Sequence, residues 1–248
     1  MNNCPVTTHE IDWGSLISPE HWRRYKCVLD RALDKKMPFA LGGGLAVSVY
    51  TGKGRYTKDL DLYILPEHRE WAVEMVTHCG LKDYYEANPY DRNWIYRAHD
   101  NEVIVDSIWA MANKRAVVDK GWLDRGPMIR MFDQEFRVIP PEELIWSKLY
   151  VLQRDRCDWP DILNLICACG PSLDWNYLID RVAEDLPLIQ GLVSVFSWVS
   201  PDRAGQLPAW VWQKLGITPP QSAHDPDGRP RRPDLLDSRP WFCETLAA

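Results

Sequence analysis

The chain alternates between two hydrophobic rhythms, and the change of rhythm marks its elements. "SPEHWRRYKCVLDRALDKK" places Trp22, Tyr25, Val28, Leu29, Ala32 and Leu33 at helical spacing, with Ser18 as N-cap and Pro19 at the first helical position. "PFALGGG" reads as a short buried strand entering glycines, and "GLAVSVYTG" as a helix closed by Gly52. "KDLDLYIL" returns to the period of two, and "PEHREWAVEMVTHCG" is a helix between Pro66 and Gly80. "NWIYRA" and "NEVIVDSIWA", separated around "HDN", predict a hairpin, and "MIRMF" and "EFRVI" a second one around Asp133 and Gln134.

From Pro140 the period is helical throughout: "PEELIWSKLYVLQRDR", "DWPDILNLICACG", "LDWNYLIDRVAEDL" and "LIQGLVSVFSWV". From Pro219 to Pro240, six prolines among alternating charges predict an extended or disordered tail. The reading is therefore α+β: a mixed sheet flanked by helices over residues 1–139, a helical domain over 140–218, and a tail over 219–248.

Composition changes this picture little. The chain has 248 residues, 46% of them hydrophobic and 26% charged, enough for one large domain or two small ones. A net charge of −6 argues against a general polyanion binder. Seven cysteines, an odd number without CxxC spacing, read as free thiols in a reducing cytosol rather than a zinc site. "MNNCPVTTHEIDW" lacks the basic and apolar regions of a signal peptide, and no run approaches the ~20 apolar residues of a membrane span. These features predict a cytoplasmic protein with no membrane partner.

The chemistry begins inside a strand. In "KDLDLYI", Asp59, Asp61 and Tyr63 share one face, while Leu60, Leu62 and Ile64 share the other. Two ionised carboxylates so close repel unless a proton or cation lies between them, and magnesium, which takes hard oxygen ligands, suits the position. "EVIVDSIWA" offers a third acid, Asp106, costly to bury unpaired. On its own it could equally cap a hairpin or pair with an arginine. Gly42, Gly43 and Gly44 stand between strand and helix, where backbone N–H groups can meet a phosphate, or where the chain merely turns tightly. Arg55 and Thr57 could touch the same phosphates or be solvated.

Lys148 lies on an apolar stripe between Leu144 and Ile145 before it and Val151 and Leu152 after it, so it either snorkels or reaches a polar cavity. Asp158 looks like an N-cap, with Asp161 favoured by the helix dipole. Lys114, Arg115, Lys120, Arg125 and Arg130 form a basic run that could meet RNA, though such runs are more often solvated surface. Trp22, Trp71 and Trp146, at helical spacing, read as core.

"GGGLAVSVYTGKGRYTKDLDLYI", followed by "VIVDSI", resembles the DNA polymerase β-like nucleotidyltransferase superfamily. The spacing from the glycines through "RYTKDLD" is most similar to the bacterial abortive-infection, AbiEii-like nucleotidyltransferases, many of them toxins of toxin–antitoxin pairs. "IPPEELIWSKLYVLQRDRCDWPDILNLI" resembles that group's downstream segment, with Ile162 after Asp161 where leucine is usual, and Arg154 and Arg156 where lysines are frequent. The likeness spans roughly residues 38–168.

The resemblance implies catalysis and metal binding by Asp59, Asp61 and Asp106. It also implies triphosphate binding at Gly43 and Gly44, and phosphate or acceptor contact by Lys148, with Asp161 matching the group's second aspartate. It implies two Mg2+ ions, with Mn2+ as a substitute, and transfer of a nucleoside monophosphate from an NTP such as ATP to a hydroxyl acceptor. That acceptor would be an RNA 3′ end, a protein side chain or a small molecule of the aminoglycoside type, and an antitoxin protein would be a partner. On this reading Asp106 could also take the acceptor's proton. The alternative is a non-catalytic nucleotide sensor or partner-binding protein that keeps the fold.

Overall fold

A computed structural model describes residues 11–54 and 57–220. They form two compact units that divide after Pro140. The expected tail beyond residue 220, Arg55, Cys4 and Cys243 lie outside the described residues.

The N-terminal unit runs α1 (Trp13–Leu16), α2 (Pro19–Asp34), β1 (Phe39–Leu41), α3 (Gly43–Thr51), β2 (Asp59–Ile64) and α4 (Arg69–His78). There follow β3 (Lys82–Asp83), β4 (Ile95–Asp100), β5 (Val103–Ile108), α5 (Lys120–Asp124), β6 (Met128–Met131) and β7 (Gln134–Arg137). Helix α2 starts where its signals place it: the Ser18 side chain accepts from the His21 N–H, and Pro19 needs no N–H partner there. Gly52 ends α3 in the left-handed region (φ 67°).

The central sheet has the order β1-β2-β5-β4-β3. Strand β2 is antiparallel to β1 and parallel to β5, and β4 is antiparallel to β5 and β3. The β6–β7 hairpin stands by itself as a second, two-stranded sheet. One face of the central sheet is a dry core, with Leu60, Leu62, Ile64, Ala98 and Val105 fully buried. The alternation in "DLDLYI" dictates this, because burying the leucines turns the aspartates outward. Helices α2 and α4 pack on one another and against β5.

The C-terminal unit is helical: α6 (Pro141–Leu149), α7 (Trp159–Cys169), α8 (Trp175–Val182), α9 (Leu186–Val199), α10 (Pro201–Ala204) and α11 (Ala209–Leu215). Its core is Leu144, Leu149, Leu163, Trp175, Leu178, Leu192 and Phe196. Helix α6 stops at Leu149, seven residues short of the predicted end at Arg156. The chain turns back instead: Asp158 N–H donates to the Val151 carbonyl (2.9 Å), and Leu152 pairs with Cys157 in an isolated bridge. Val151 and Leu152 therefore do not continue the apolar stripe around Lys148, and Leu152 is exposed.

Three further expectations are corrected. Cys27 of α2 and Cys79, just after α4, form a disulfide across 52 residues, whereas Cys157, Cys167 and Cys169 are thiols. Spacing along the chain carries no sign that these two helices lie side by side. Trp71 is 48% exposed and stacks on His68, because the first turn of α4 points it outward; Trp146 is buried. The stretch Trp175–Val199 is apolar and long enough, by length and composition, to cross a membrane. It is, however, two helices broken at Ala183 (φ 49°), and it carries Asp180, Arg181, Glu184 and Asp185.

Replacing both Cys27 and Cys79 by serine should lower the unfolding free energy by about 2–4 kcal/mol, measured by denaturant titration without reductant. An unchanged midpoint would mean that the bond does not form in solution.

Candidate active site

The parallel pairing of β2 with β5 sets Asp61 directly opposite Asp106, with Asp59 opposite Ile104. All three aspartates therefore emerge on one face of adjacent strands. Asp59 and Asp61 are half-buried, while Asp106 is almost fully buried at 2% exposure.

The glycine turn meets this face. Gly43, at the first position of α3, has φ +55°, and a Cβ there would overlap an Asp61 carboxylate oxygen. A Cβ on Gly42 would collide with the Tyr63 ring. The Gly42 N–H donates to the Asp61 carbonyl at 3.0 Å, which ties the turn to the strand. Glycine is required because the backbone itself is the surface that faces the carboxylate. Gly44, at the next position, is buried, and its carbonyl accepts from Ser48 Oγ at 3.0 Å. The Thr57 hydroxyl donates to the Asp59 carbonyl at 3.2 Å, so it braces the entry into β2.

The residue that sequence reasoning missed is Arg97. Register sets it opposite Asp106 across β4 and β5. Its Nε donates to Asp106 Oδ1 at 2.8 Å and its Nη2 to Oδ2 at 2.5 Å, while Nη2 lies 4.0 Å from Asp59 Oδ2. Hydrogen bonds to Asp106, opposed by burial and helped by the charge of that carboxylate, raise the guanidinium's pKa above its ordinary value. The signal was available in the hairpin. The β4–β5 connection is a tight turn at Asn101 and Glu102, with Asn101 left-handed (φ 54°) and Asp100 paired to Val103. Centring the turn on "HDN" shifts the register and moves Arg97 away from Asp106.

This donor set decides what cation the face can take. Asp59 and Asp61 present hard carboxylate oxygens on a partly open face, which fits one divalent ion. Asp106 has both oxygens on Arg97, so the residues do not present three carboxylates to a pair of ions. Among the described residues, no group of three or more His, Cys, Asp or Glu is placed to hold a metal.

Lys148 and Asp161 meet in the C-terminal unit. The buried Lys148 Nζ donates to Asp158 Oδ2 at 2.9 Å and to Asp161 Oδ2 at 2.8 Å. The lysine thus does not snorkel. Asp158 occupies the N-cap position of α7, but its side chain caps nothing; it binds Lys148 and Arg156 instead. Burial works to raise the Asp158 carboxyl, but Lys148 and Arg156 outweigh it and hold its pKa below the usual value. In the same unit, the fully buried Glu143 accepts from Tyr177 Oη and from Arg181 Nη2. Burial, then the bond to Glu143, pushes the Tyr177 hydroxyl up to about 12. Lys114, Arg115, Lys120, Arg125 and Arg130 are all exposed.

Gly43→Ala should cost about 1–2 kcal/mol from its positive φ alone, and more from the overlap with Asp61, read by thermal unfolding. Lys148→Gln should destabilise the helical unit by about 3 kcal/mol, since it strands buried carboxylates. The depressed Asp158 pKa stabilises the fold above its unfolded value, near pH 4. That contribution should fade as pH falls further, and acid titration of Lys148→Gln should lose this dependence.

The chain was also compared with known proteins. The sequence pattern of the family described as "Nucleotidyl transferase of unknown function (DUF2204)" matches residues 22–184, well over half of the chain. No curated protein matches it. The solution structure of the antibiotic-resistance factor ANT(2'')-Ia is similar at 19% identity and a TM-score of 0.48, covering 72% of this chain and 98% of that one. The lincosamide antibiotic adenylyltransferase LnuA is similar at 20% identity and 0.42, covering 60% and 96%. JHP933 from Helicobacter pylori is similar at 14% identity and 0.40, covering 81% and 90%. Likenesses this distant bring no substrate with them. The sheet order, the glycine turn on Asp61 and the matched span agree: the chain has the nucleotidyltransferase fold and belongs to the DUF2204 family of nucleotidyl transferases.

Proposed function

We propose that the chain moves a nucleoside monophosphate from an NTP to a hydroxyl acceptor and releases pyrophosphate. The acceptor oxygen bonds to the α-phosphorus and the bond from that phosphorus to the bridging oxygen breaks. The hydroxyl's proton leaves to water at the open face of β2. Asp59 and Asp61 would hold a divalent cation, Mg2+ or in its place Mn2+, which when bound supplies charge neutralisation to the triphosphate. Gly43 and Gly44 bring the start of α3 to that face, where backbone N–H groups suit phosphate oxygens. The motif implies phosphate or acceptor contact by Lys148, whose Nζ is held within the helical unit by Asp158 and Asp161. The site's task is alignment and charge neutralisation, as in phosphoryl transfer generally.

The observation that carries this reading is the seat of Gly43 against the Asp61 carboxylate, on a strand face that Asp59 shares. A glycine at positive φ, pressed on an acid, couples the turn of α3 to the carboxylates that would hold the cation. Arg55, in the "RYTKDLD" run, would add a phosphate contact. The motif order further supports an AbiEii-like toxin held in check by an antitoxin protein. The need for NTP places the reaction in the cytoplasm, where the Cys27–Cys79 bond would be exposed to reduction.

Incubation with each α-labelled NTP, Mg2+ and total RNA or cell lysate should leave label on one class of acceptor: an RNA 3′ end, a protein hydroxyl or a small molecule such as an aminoglycoside. Asp61→Asn should reduce transfer to background with an unchanged melting temperature. Wild-type rates in that variant, or no transfer to any acceptor class, would overturn the proposal.

A further inference from the structure

We propose that Arg97 is the built-in second cation of this site: tied to Asp106, it leaves the chain needing a single divalent ion, held by Asp59 and Asp61. The inference rests on the transfer reading above and deepens it.

Parallel pairing sets Asp61 opposite Asp106, strand beside strand, and neighbouring strands lie about 4.8 Å apart. Two acids so placed call for a positive charge between or beside them. The fold provides one from the other side of β5, where Arg97 takes both Asp106 oxygens at 2.8 and 2.5 Å. A bidentate guanidinium is the strongest arrangement a side chain can offer a carboxylate.

Arg97 is also fixed in place. The Tyr90 hydroxyl accepts from the Arg97 N–H at 2.8 Å and lies 3.3 Å from its carbonyl. The Tyr84 ring stands 5.7 Å from the guanidinium carbon. The head group is not sealed away: its side chain is 31% exposed and reaches to 4.0 Å from Asp59. A guanidinium carries more N–H donors than Asp106 takes, and Nη2, 4.0 Å from Asp59 Oδ2, borders the face that Asp59 and Asp61 share. An NTP phosphate held there would meet a permanent positive charge, one that does not depend on free metal concentration. Asp106 then serves as the anchor of Arg97.

The test is a count of bound Mn2+ by electron paramagnetic resonance, on the full chain saturated with an NTP analogue that cannot be cleaved at the α-phosphorus. One ion per chain is expected, without the spin coupling of a metal pair about 3.5–4 Å apart. Two coupled ions would overturn the role of Arg97 while leaving the transfer reading intact. No bound ion and no bound nucleotide would overturn both. In Arg97→Gln, Asp106 is released, so a second ion or a fall in transfer of at least tenfold is expected. One ion with wild-type transfer in that variant would also overturn the inference. If the variant does not fold, the wild-type count still decides.

Discussion

Parallel pairing of β2 with β5 creates an electrostatic problem, and the rest of the site is arranged around it. Asp61 and Asp106 become direct neighbours. Two ionised carboxylates at about 5 Å would repel by about 3 kcal/mol at the effective dielectric of a protein surface, and Asp106 is almost out of water. The repulsion alone is comparable to what a single substitution usually costs. A counter-charge is therefore a condition of folding this sheet, before any substrate is present. Arg97 meets that condition for Asp106. Asp61 sits instead against the backbone of Gly43, and Asp59 keeps part of its surface in water.

The helical unit solves a related problem with the opposite sign at its centre. Lys148 is buried, and two carboxylates reach it because α6 ends early and the chain folds back at Val151. Glu143, five residues earlier on α6, accepts from Tyr177 and pairs with Arg181, whose guanidinium also lies over the Trp146 ring at 5.2 Å. Buried ionic groups of this kind contribute little net stability, but removing one partner is costly. They fix which helix faces which, so the motif "PEELIWSKL" has a structural reason to exist besides any contact with nucleotide.

Local signals were legible where one interaction decides them. The Ser18 cap, Pro19, the left-handed Gly52 and the period-two alternation of β2 each depend on residues within a few positions, and each forms as read. Boundaries failed where a distant partner competes. The end of α6 is set by where Asp158 must go, and the outward turn of Trp71 by which face of α4 meets the sheet. The Cys27–Cys79 bond needs two helices to be neighbours, which spacing along the chain does not encode.

Sequence by itself determined that the chain has an acid pair on one face of a strand, glycines at the preceding turn, a third acid in an apolar strand and a helical second half. These follow from side-chain periodicity and backbone freedom, which are properties of short segments. Only the tertiary structure decided what Asp106 touches. That depends on the register of β4 against β5, and a one-residue change in the turn at Asn101 would hand Asp106 a different neighbour. In this hairpin the two-residue turn and the burial of Ala98 and Val105 on the far face set the register together, and that register converts an acidic residue that reads as a metal ligand into one half of an ion pair.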